Sequence, residues 1–451
     1  MSHSSQTQPM AAVPKQLAWF LPALFMLVVF ATSRTTHASD QAVEANPLRV
    51  EALVDEVLEQ NRGIAALKAA VQAAKAGIEQ AGALPDPMLI GAVAPETIGG
   101  YESPSGRDAN VRIELSQQLP WPGKLGLKEE AARLETMAAT EDVAAMRLEL
   151  VSLTRAAYAE WHYVHQALAI NETNRELVEQ LRSVAESRYA AGLASQQDVL
   201  QAEVELQHVR HRDIQLNRQH RATRARINTL LNRSPDNALP HPGTGLTTSA
   251  ELPDFDELQS TALATHPELK RLDQRVAANE QRARLADKEF YPDFRVFTGY
   301  NGLWDEDAKR WVVGAGINLP IDRSKRRAAV DEAQARTMRL QAELDDRRAQ
   351  LLGALEQALA TADEARHTIR LYVNELIPRA EENLSAARAE YGAGGGGFLD
   401  VITAEKLLLN AQLGLERARA DYFTAYADLQ RWTGKPLTQV RATMKGMETQ
   451  P

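Results

Sequence analysis

The fold is decided by two similar stretches, YAAGLASQQDVLQAE at residues 189–203 and YGAGGGGFLDVITAE at residues 391–405. Seven of the fifteen aligned positions are identical: Tyr189/Tyr391, Ala191/Ala393, Gly192/Gly394, Asp198/Asp400, Val199/Val401, Ala202/Ala404 and Glu203/Glu405. A sequence pattern that returns along one chain is typical of a repeated architecture. In both copies a glycine, Gly192 or Gly394, supplies the positive φ that a reversal between two helices needs. We therefore predict two helical hairpins of the same kind.

The similarity extends over most of the chain. We predict a first repeat at 40–240, with its hairpin tip near 190–198, and a second at 241–437, with its tip near 391–400. Each repeat begins with an amphipathic helix and continues with two strands and a very long helical region up to the tip. A last helix leads away from each tip. The first helices are placed at about 47–84 and 255–290, and the strand pairs within 88–120 and 293–320.

The two ends of the chain fall outside this repeat. Lys15 precedes an apolar run at 17–31 that is short for a bilayer span, and small residues follow it. We interpret residues 1–39 as a signal peptide for export from a bacterial cytoplasm, with a membrane anchor as the alternative. Residues 438–451 are interpreted as a C-terminal tail.

The long helical regions predict coiled coils. If residues 123–190 are helical throughout, they span ~100 Å at ~1.5 Å per residue, so they must lie against other helices. Pro378 interrupts the comparable stretch of the second repeat, where we expect a bend. The last helix has an apolar seam with an alternating spacing of three and four: Val401, Ala404, Leu408, Ala411, Leu415, Ala418, Tyr422, Ala425, Leu429 and Trp432. An elongated helical bundle without a channel remains open from the helices alone.

The strands favour a membrane channel. Val111, Ile113 and Leu115 alternate with polar residues, as a strand between lipid and a wet lumen requires. Four strands cannot close a barrel, and an open edge is not tolerated in lipid, so the chain must oligomerise. A small packed β-subdomain is the alternative. Aromatic residues that suggest an interfacial girdle cluster around the second pair: Phe290, Tyr291, Phe294, Phe297, Tyr300, Trp304 and Trp311.

Composition excludes several classes of protein. The 451-residue chain has a net charge of −9 and no cysteine, which excludes disulfides, thiolate metal sites and acylation of an N-terminal cysteine. Removal of the predicted signal peptide takes away Lys15 and Arg34 and leaves a net charge of −11, which argues against nucleic acid and mildly favours cations as partners. Neither a nucleophile elbow nor a cofactor fingerprint is present, so we expect no enzyme activity, no cofactor and no bound metal. Two histidine pairs, His162/His165 and His208/His211, have helical spacing but lack a metal-binding motif.

Four motifs in this order resemble the TolC-type outer-membrane efflux channels: ALPDPML (83–89), QQLPWPGK (117–124), RYAAGLASQQDVLQAE (188–203) and EYGAGGGGFLDVITAE (390–405). The resemblance covers about residues 47–437. It implies a mostly α fold in which long coiled-coil helices form a periplasmic α-helical barrel. It also implies a homotrimer whose four strands per protomer make a 12-stranded β-barrel in the lipid of the bacterial outer membrane.

The resemblance implies roles for the hairpin tips. They would dock a periplasmic adaptor (membrane fusion) protein through two sets of residues: Gly192, Leu193, Ala194 and Ser195 in the first tip, and Gly394, Gly395 and Gly396 in the second. Asp400 would line the periplasmic constriction. Family members often carry a second aspartate three residues on, where this chain has Thr403. A structural role, in which Asp198 and Asp400 cap their helices, is an equally good interpretation of both carboxylates.

The function implied is passive conduction from an inner-membrane pump of the RND type, through the adaptor, to the exterior. The segment QQLPWPGK resembles the branch that serves heavy-metal resistance, of the cobalt–zinc–cadmium or copper–silver type, so metal cations are the expected substrates. Multidrug efflux is the alternative within the family. An exported coiled-coil structural protein that never spans a membrane is the alternative from another class.

Overall fold

The computed structural model describes residues 46–95, 109–243, 245–246, 252–302 and 307–437. The predicted signal peptide and C-terminal tail lie outside these residues. The described helices are α1 Val50–Gln60, α2 Arg62–Gly82, α3 Lys124–Ala190, α4 Gln196–Leu230, α5 Phe255–Thr265, α6 Pro267–Lys288, α7 Arg323–Leu371, α8 Ile377–Ala393 and α9 Phe398–Thr433. The described strands are β1 Met88–Pro95, β2 Ala109–Leu119, β3 Phe294–Asn301 and β4 Trp311–Ile317.

The single helix predicted at the start of each repeat is wrong, because both are broken. Asn61 separates α1 from α2, and its Oδ1 accepts hydrogen bonds from the backbone N–H groups of Gly63 (2.9 Å) and Ile64 (3.4 Å). This is N-capping, which starts a new helix. His266 separates α5 from α6 with an extended backbone (φ −63°, ψ 125°). The following residue is Pro267, whose ring disfavours the helical conformation in the residue before it.

The four strands form one antiparallel sheet in the order β1-β2-β3-β4, which confirms the predicted number of strands. The register places Leu89 opposite Leu115, Leu115 opposite Thr298, and Thr298 opposite Val313. Residues that lie directly opposite each other on neighbouring strands point to the same side of the sheet, so these residues share one face. That face is apolar and exposed in the protomer, with Val313 84% exposed.

The opposite face of the sheet is polar. The carboxylate of Glu114 is buried on this face, where it forms ion pairs with Arg112 of its own strand and with Arg295 of β3. Phe297 shares this face with Gly314, where an added Cβ would lie 2.3 Å from the ring of Phe297. One sheet therefore separates an apolar surface from a charged one.

The sheet joins the helices through residues of both repeats. Lys124, at the start of α3, is buried, and its Nζ donates to Asp293 Oδ1 (2.8 Å) and Glu289 Oε2 (3.2 Å). The backbone N–H of Trp121 also donates to Asp293 Oδ1 (2.8 Å). The ring of Trp121 stacks on Tyr291 with the centroids 5.1 Å apart. The motif at 117–124 in the first repeat is thereby fixed against residues 291–294 (YPDF) of the second.

The long helices pack side by side against one another. α3 has 67 residues and packs against α2, α4, α6 and α9, while α9 also packs against α7 and α8. Of the ten seam residues expected in α9, eight are buried, and only Leu408 and Trp432 are partly exposed. In the described ranges, no helix is long and apolar enough to cross a membrane. The predicted coiled-coil packing of α9 is confirmed.

The helix that contains Pro378 is irregular. A π-helical segment, Tyr372–Leu376, links α7 to α8 directly before the proline. Proline lacks an N–H group and cannot continue a regular α-helical hydrogen-bond ladder. Irregularities of long helices occur at prolines and at π-helical turns. The ring of Tyr372 lies against Gly414 of α9, where an added Cβ would be 2.6 Å from its hydroxyl oxygen. The irregular turn is therefore matched by a glycine on the neighbouring helix.

Candidate functional site at the paired hairpin tips

The first hairpin tip connects α3 to α4. Gly192 has φ +71°, and the N–H of Leu193 donates to the Arg188 carbonyl oxygen (2.8 Å). The Ser195 Oγ accepts from the N–H of Asp198 (3.3 Å) and donates to its Oδ1 (2.7 Å). Ser195 thus caps α4, and the Asp198 carboxylate lies in the first turn, where the helix dipole favours negative charge.

The second tip connects α8 to α9. Gly394 has φ +86°, and the N–H groups of the two following glycines, Gly395 and Gly396, donate to the Glu390 carbonyl oxygen (3.0 and 3.3 Å). Asp400 is exposed, and its Oδ2 accepts from the N–H of the residue three positions earlier (3.1 Å). Glycines therefore close the α8 end, and Asp400 caps the start of α9.

The two tips are joined by three side chains, Arg188, Asp198 and Tyr391, which we call the inter-hairpin cluster. Arg188 Nη1 donates to the carbonyl oxygens of Tyr391 (2.6 Å) and Gly392 (3.2 Å), and its guanidinium carbon lies 4.6 Å from the centroid of the Tyr391 ring. The Tyr391 hydroxyl donates to Asp198 Oδ2 (3.4 Å). The second hairpin is therefore held to the first by charge-assisted and cation–π contacts.

The repeated tyrosines are not equivalent. Tyr391 is 5% exposed, whereas Tyr189, at the same place in the first repeat, is 49% exposed. Tyr391 packs edge-on against Phe398 with the ring centroids 5.4 Å apart, and the first repeat has Gln196 at the position of Phe398. Burial and the nearby Asp198 carboxylate raise the pKa of Tyr391. The sequence comparison missed this difference, although the exchange of Phe398 for Gln196 was a usable signal.

The outer surface of the tips is apolar and open in the protomer. Leu193 is 69% exposed at the first tip, and Leu399 is exposed at the second. A groove of about 290 Å³ lies between α4 and α9, lined in part by Leu200 and Val204. Ala194 is half-buried beside Leu193. The predicted docking residues thus lie together at one end of the helices.

Asp400 and Thr403 lie one turn apart at the start of α9, and both are exposed. The Thr403 Oγ1 donates to the Leu399 carbonyl oxygen (2.8 Å). Both side chains therefore bond to the backbone of their own segment and make no hydrogen bond to the first tip among the described residues. Their role in a constriction stays a prediction.

The two histidine pairs differ in burial. His162 is buried, and the Nδ1 of His165 donates to the Trp161 carbonyl oxygen (2.8 Å), whereas His208 and His211 are exposed. Across the part of the chain that the structure describes, no three His, Cys, Asp or Glu side chains are grouped to hold a metal ion. The absence of a bound metal stays a prediction.

An antiparallel sheet with one exposed apolar face and one polar face is typical of the strands of an outer-membrane channel. The family model described as "Outer membrane efflux protein" matches residues 53–233 and 258–435. The chain belongs to this family. The resemblance to TolC-type channels, the mostly helical fold class and the outer-membrane location are thereby confirmed.

Individual relatives are distant but cover most of the chain. The chain is 22% identical to Nodulation protein T of Rhizobium leguminosarum bv. trifolii, with 79% of each chain covered. It is 23% identical to the cobalt-zinc-cadmium resistance protein CzcC of Cupriavidus metallidurans, with 87% of this chain and 91% of CzcC covered. Among solved structures, the outer membrane protein VceC of Vibrio cholerae has a TM-score of 0.73 at 21% identity, covering 86% of this chain and 96% of VceC.

Proposed function

We propose that this protein is the outer-membrane duct of a tripartite export system and works as a homotrimer. The observation that carries this proposal is the four-stranded sheet, which has an apolar exposed face and ends in two outer strands, β1 and β4. Unpaired strand edges are not tolerated in lipid, so the sheets of several copies must pair. Three copies give twelve strands, an even number within the range of such barrels.

The hairpin tips are proposed to receive a periplasmic adaptor, which connects the channel to an inner-membrane pump of the RND type. Apolar side chains that are exposed at a helical tip fit a docking surface, and Leu193 is the most exposed of these. Deletion of Leu193 should abolish adaptor pulldown, while the channel still reaches the outer membrane. The matched control is Leu263→Ala, an exposed leucine of α5. Survival of the pulldown in the deletion variant would contradict the docking assignment.

Metal cations are the proposed substrates. The relative CzcC is a cobalt-zinc-cadmium resistance protein by name, and this chain has a net charge of −9. A negative lumen raises the local concentration of cations through its field. Conduction needs no covalent chemistry, so we propose that the protein is not an enzyme. A strain that lacks the gene should lose growth on metal salts and keep it on drugs; the reverse result would assign the channel to multidrug efflux.

The proposed gate is a ring of three Asp400 carboxylates, one from each protomer. Asp400 is exposed at the start of α9, and Thr403 one turn further on adds no charge to the ring. The gate opens when the adaptor shifts the tips from a closed to an open packing. The inter-hairpin cluster supports such a two-state element, because its contacts connect the two hairpins directly.

A further inference from the structure

A buried polar cluster lies behind the tips, where α3, α4 and α9 meet. Its members, called here the Glu405 cluster, are Asn171, Asn174, Glu205, Glu405 and Lys406. Glu205 is 2% exposed and Glu405 is 1% exposed, and both asparagines are buried. The surrounding side chains form an apolar core of Val178, Leu206 and Val209. Buried charges in such surroundings require partners.

In and around the cluster, more buried acceptors than buried donors lack a hydrogen-bond partner. Lys406 Nζ pairs with Glu205 Oε2 at 2.6 Å, while Glu205 Oε1 has no partner. Both carboxylate oxygens of Glu405 are also buried without a partner, as is the Oδ1 of Asn171. A proton on Glu405 would remove one buried charge and supply one donor to these acceptors. Two buried donors that act on Glu405, Asn174 Nδ2 and Arg212 Nη1, also have no partner. The acceptors still outnumber them, and a proton on Glu405 reduces this excess.

Charged groups of the neighbouring helices act on Glu405 in both directions. Burial raises its pKa most, and the Glu205 carboxylate of α4 raises it further. Lys406 of α9 and Arg212 of α4 act in the opposite direction, and α3 contributes the amide of Asn174. The resulting pKa of Glu405 is about 7 instead of 4.5. The charge of Glu405 therefore changes near neutral pH.

We propose that Glu405 is a proton-binding site that controls how tightly α9 packs against α4 behind the tips. With the proton bound, the cluster stays buried and the hairpins stay closely packed. When the proton leaves, two carboxylates share one buried site, and α9 moves away from α4 so that Glu405 reaches water. This inference concerns packing and goes beyond the proposed function, since it holds whether or not the chain conducts a substrate.

Hydrogen–deuterium exchange of the full-length protein tests the proposal. Peptides over 398–412 are followed at about pH 5.5 and about pH 8, with rates corrected for the intrinsic pH dependence of exchange. For a pKa of about 7 in the closed packing and 4.5 in the open one, the opening equilibrium should rise about 30-fold between these pH values. A wild-type protein without this rise would overturn the proposal.

Two variants and one control identify the group responsible. Glu405→Gln should make the corrected exchange independent of pH, and Glu205→Gln should move its midpoint to lower pH, because the like charge is removed. The control is Glu203→Gln, at the same repeat position as Glu405 but exposed. It should keep the wild-type pH dependence. Persistence of that dependence in Glu405→Gln, or its loss in Glu203→Gln, would refute the assignment. Because exchange requires no pore, a failure here is distinct from a failure to conduct.

Discussion

Replacement of Arg188 by leucine should open the hairpin tips. Arg188 donates two hydrogen bonds to backbone carbonyls of the second tip, at Tyr391 (2.6 Å) and Gly392 (3.2 Å), and stacks on the Tyr391 ring at 4.6 Å. Charge-assisted hydrogen bonds of a half-exposed group contribute about 1 kcal/mol each, and the cation–π contact about 0.5–1 kcal/mol. Together they hold the two hairpins to each other by about 2–3 kcal/mol, which in the proposed gating favours the closed packing.

That free energy sets the size of the expected effect. Because about 1.4 kcal/mol corresponds to a factor of ten, the ratio of open to closed channels should rise by about 30-fold to about 150-fold. The assay is the open probability of single channels in planar bilayers at constant voltage. The matched control is Arg182→Leu, since Arg182 lies on the same helix and pairs only with Glu186 of α3 (3.1 Å) among the described contacts.

A double-mutant cycle with Tyr391→Leu distinguishes a local contact from a general weakening of α3. Tyr391→Leu removes the ring on which Arg188 stacks at 4.6 Å and the hydroxyl that bonds Asp198 (3.4 Å). Residues in one network should show a coupling energy of at least about 0.5 kcal/mol. An open probability of Arg188→Leu equal to that of Arg182→Leu would show that the inter-hairpin cluster does not hold the tips closed.

Three further substitutions have defined outcomes. Asp400→Asn should lower cation over anion selectivity in bilayers, and unchanged selectivity would count against the carboxylate ring. Lys124→Met should lower the free energy of unfolding by about 3 kcal/mol, because it leaves Asp293 without its buried cation. Lys128→Met, at an exposed position, should leave the free energy of unfolding unchanged. The raised pKa of Glu405 stabilises the folded state below pH 4.5, and this stabilisation is lost as the pH rises through about 7. At about pH 8, the free energy of unfolding of Glu405→Gln should therefore exceed that of the wild type by up to about 3 kcal/mol. Below pH 4.5 the variant should show no such gain.

Local chemistry made the repeated elements predictable. A reversal between two helices requires a residue with positive φ, and Gly192 and Gly394 both have it. Ser195 has the side chain of a typical helix N-cap. The seam of α9 was visible because apolar side chains recur with a helical period. The breaks at Asn61 and His266 had local signals too, an amide that caps a helix and a following proline, but the amphipathic pattern concealed them.

Contacts between distant segments were not predictable. Arg188 and Tyr391 are separated by 203 residues, and no local pattern brings them together. Glu203 and Glu405 occupy the same repeat position, yet only Glu405 is buried, with Asn174 of α3 and Glu205 of α4 beside it. Likewise, Tyr189 and Tyr391 differ because Phe398 packs on one of them alone. Repeat symmetry predicts the elements, whereas burial depends on which neighbours each copy meets.

The central claim is that several copies form one pore, because the unpaired edges of each protomer's sheet must pair with the sheets of neighbouring copies. The most direct measurement is the mass of the detergent-purified protein combined with its conductance in planar bilayers. The account expects a stable trimer that forms cation-selective pores. A stable monomer that gives no conductance would contradict it.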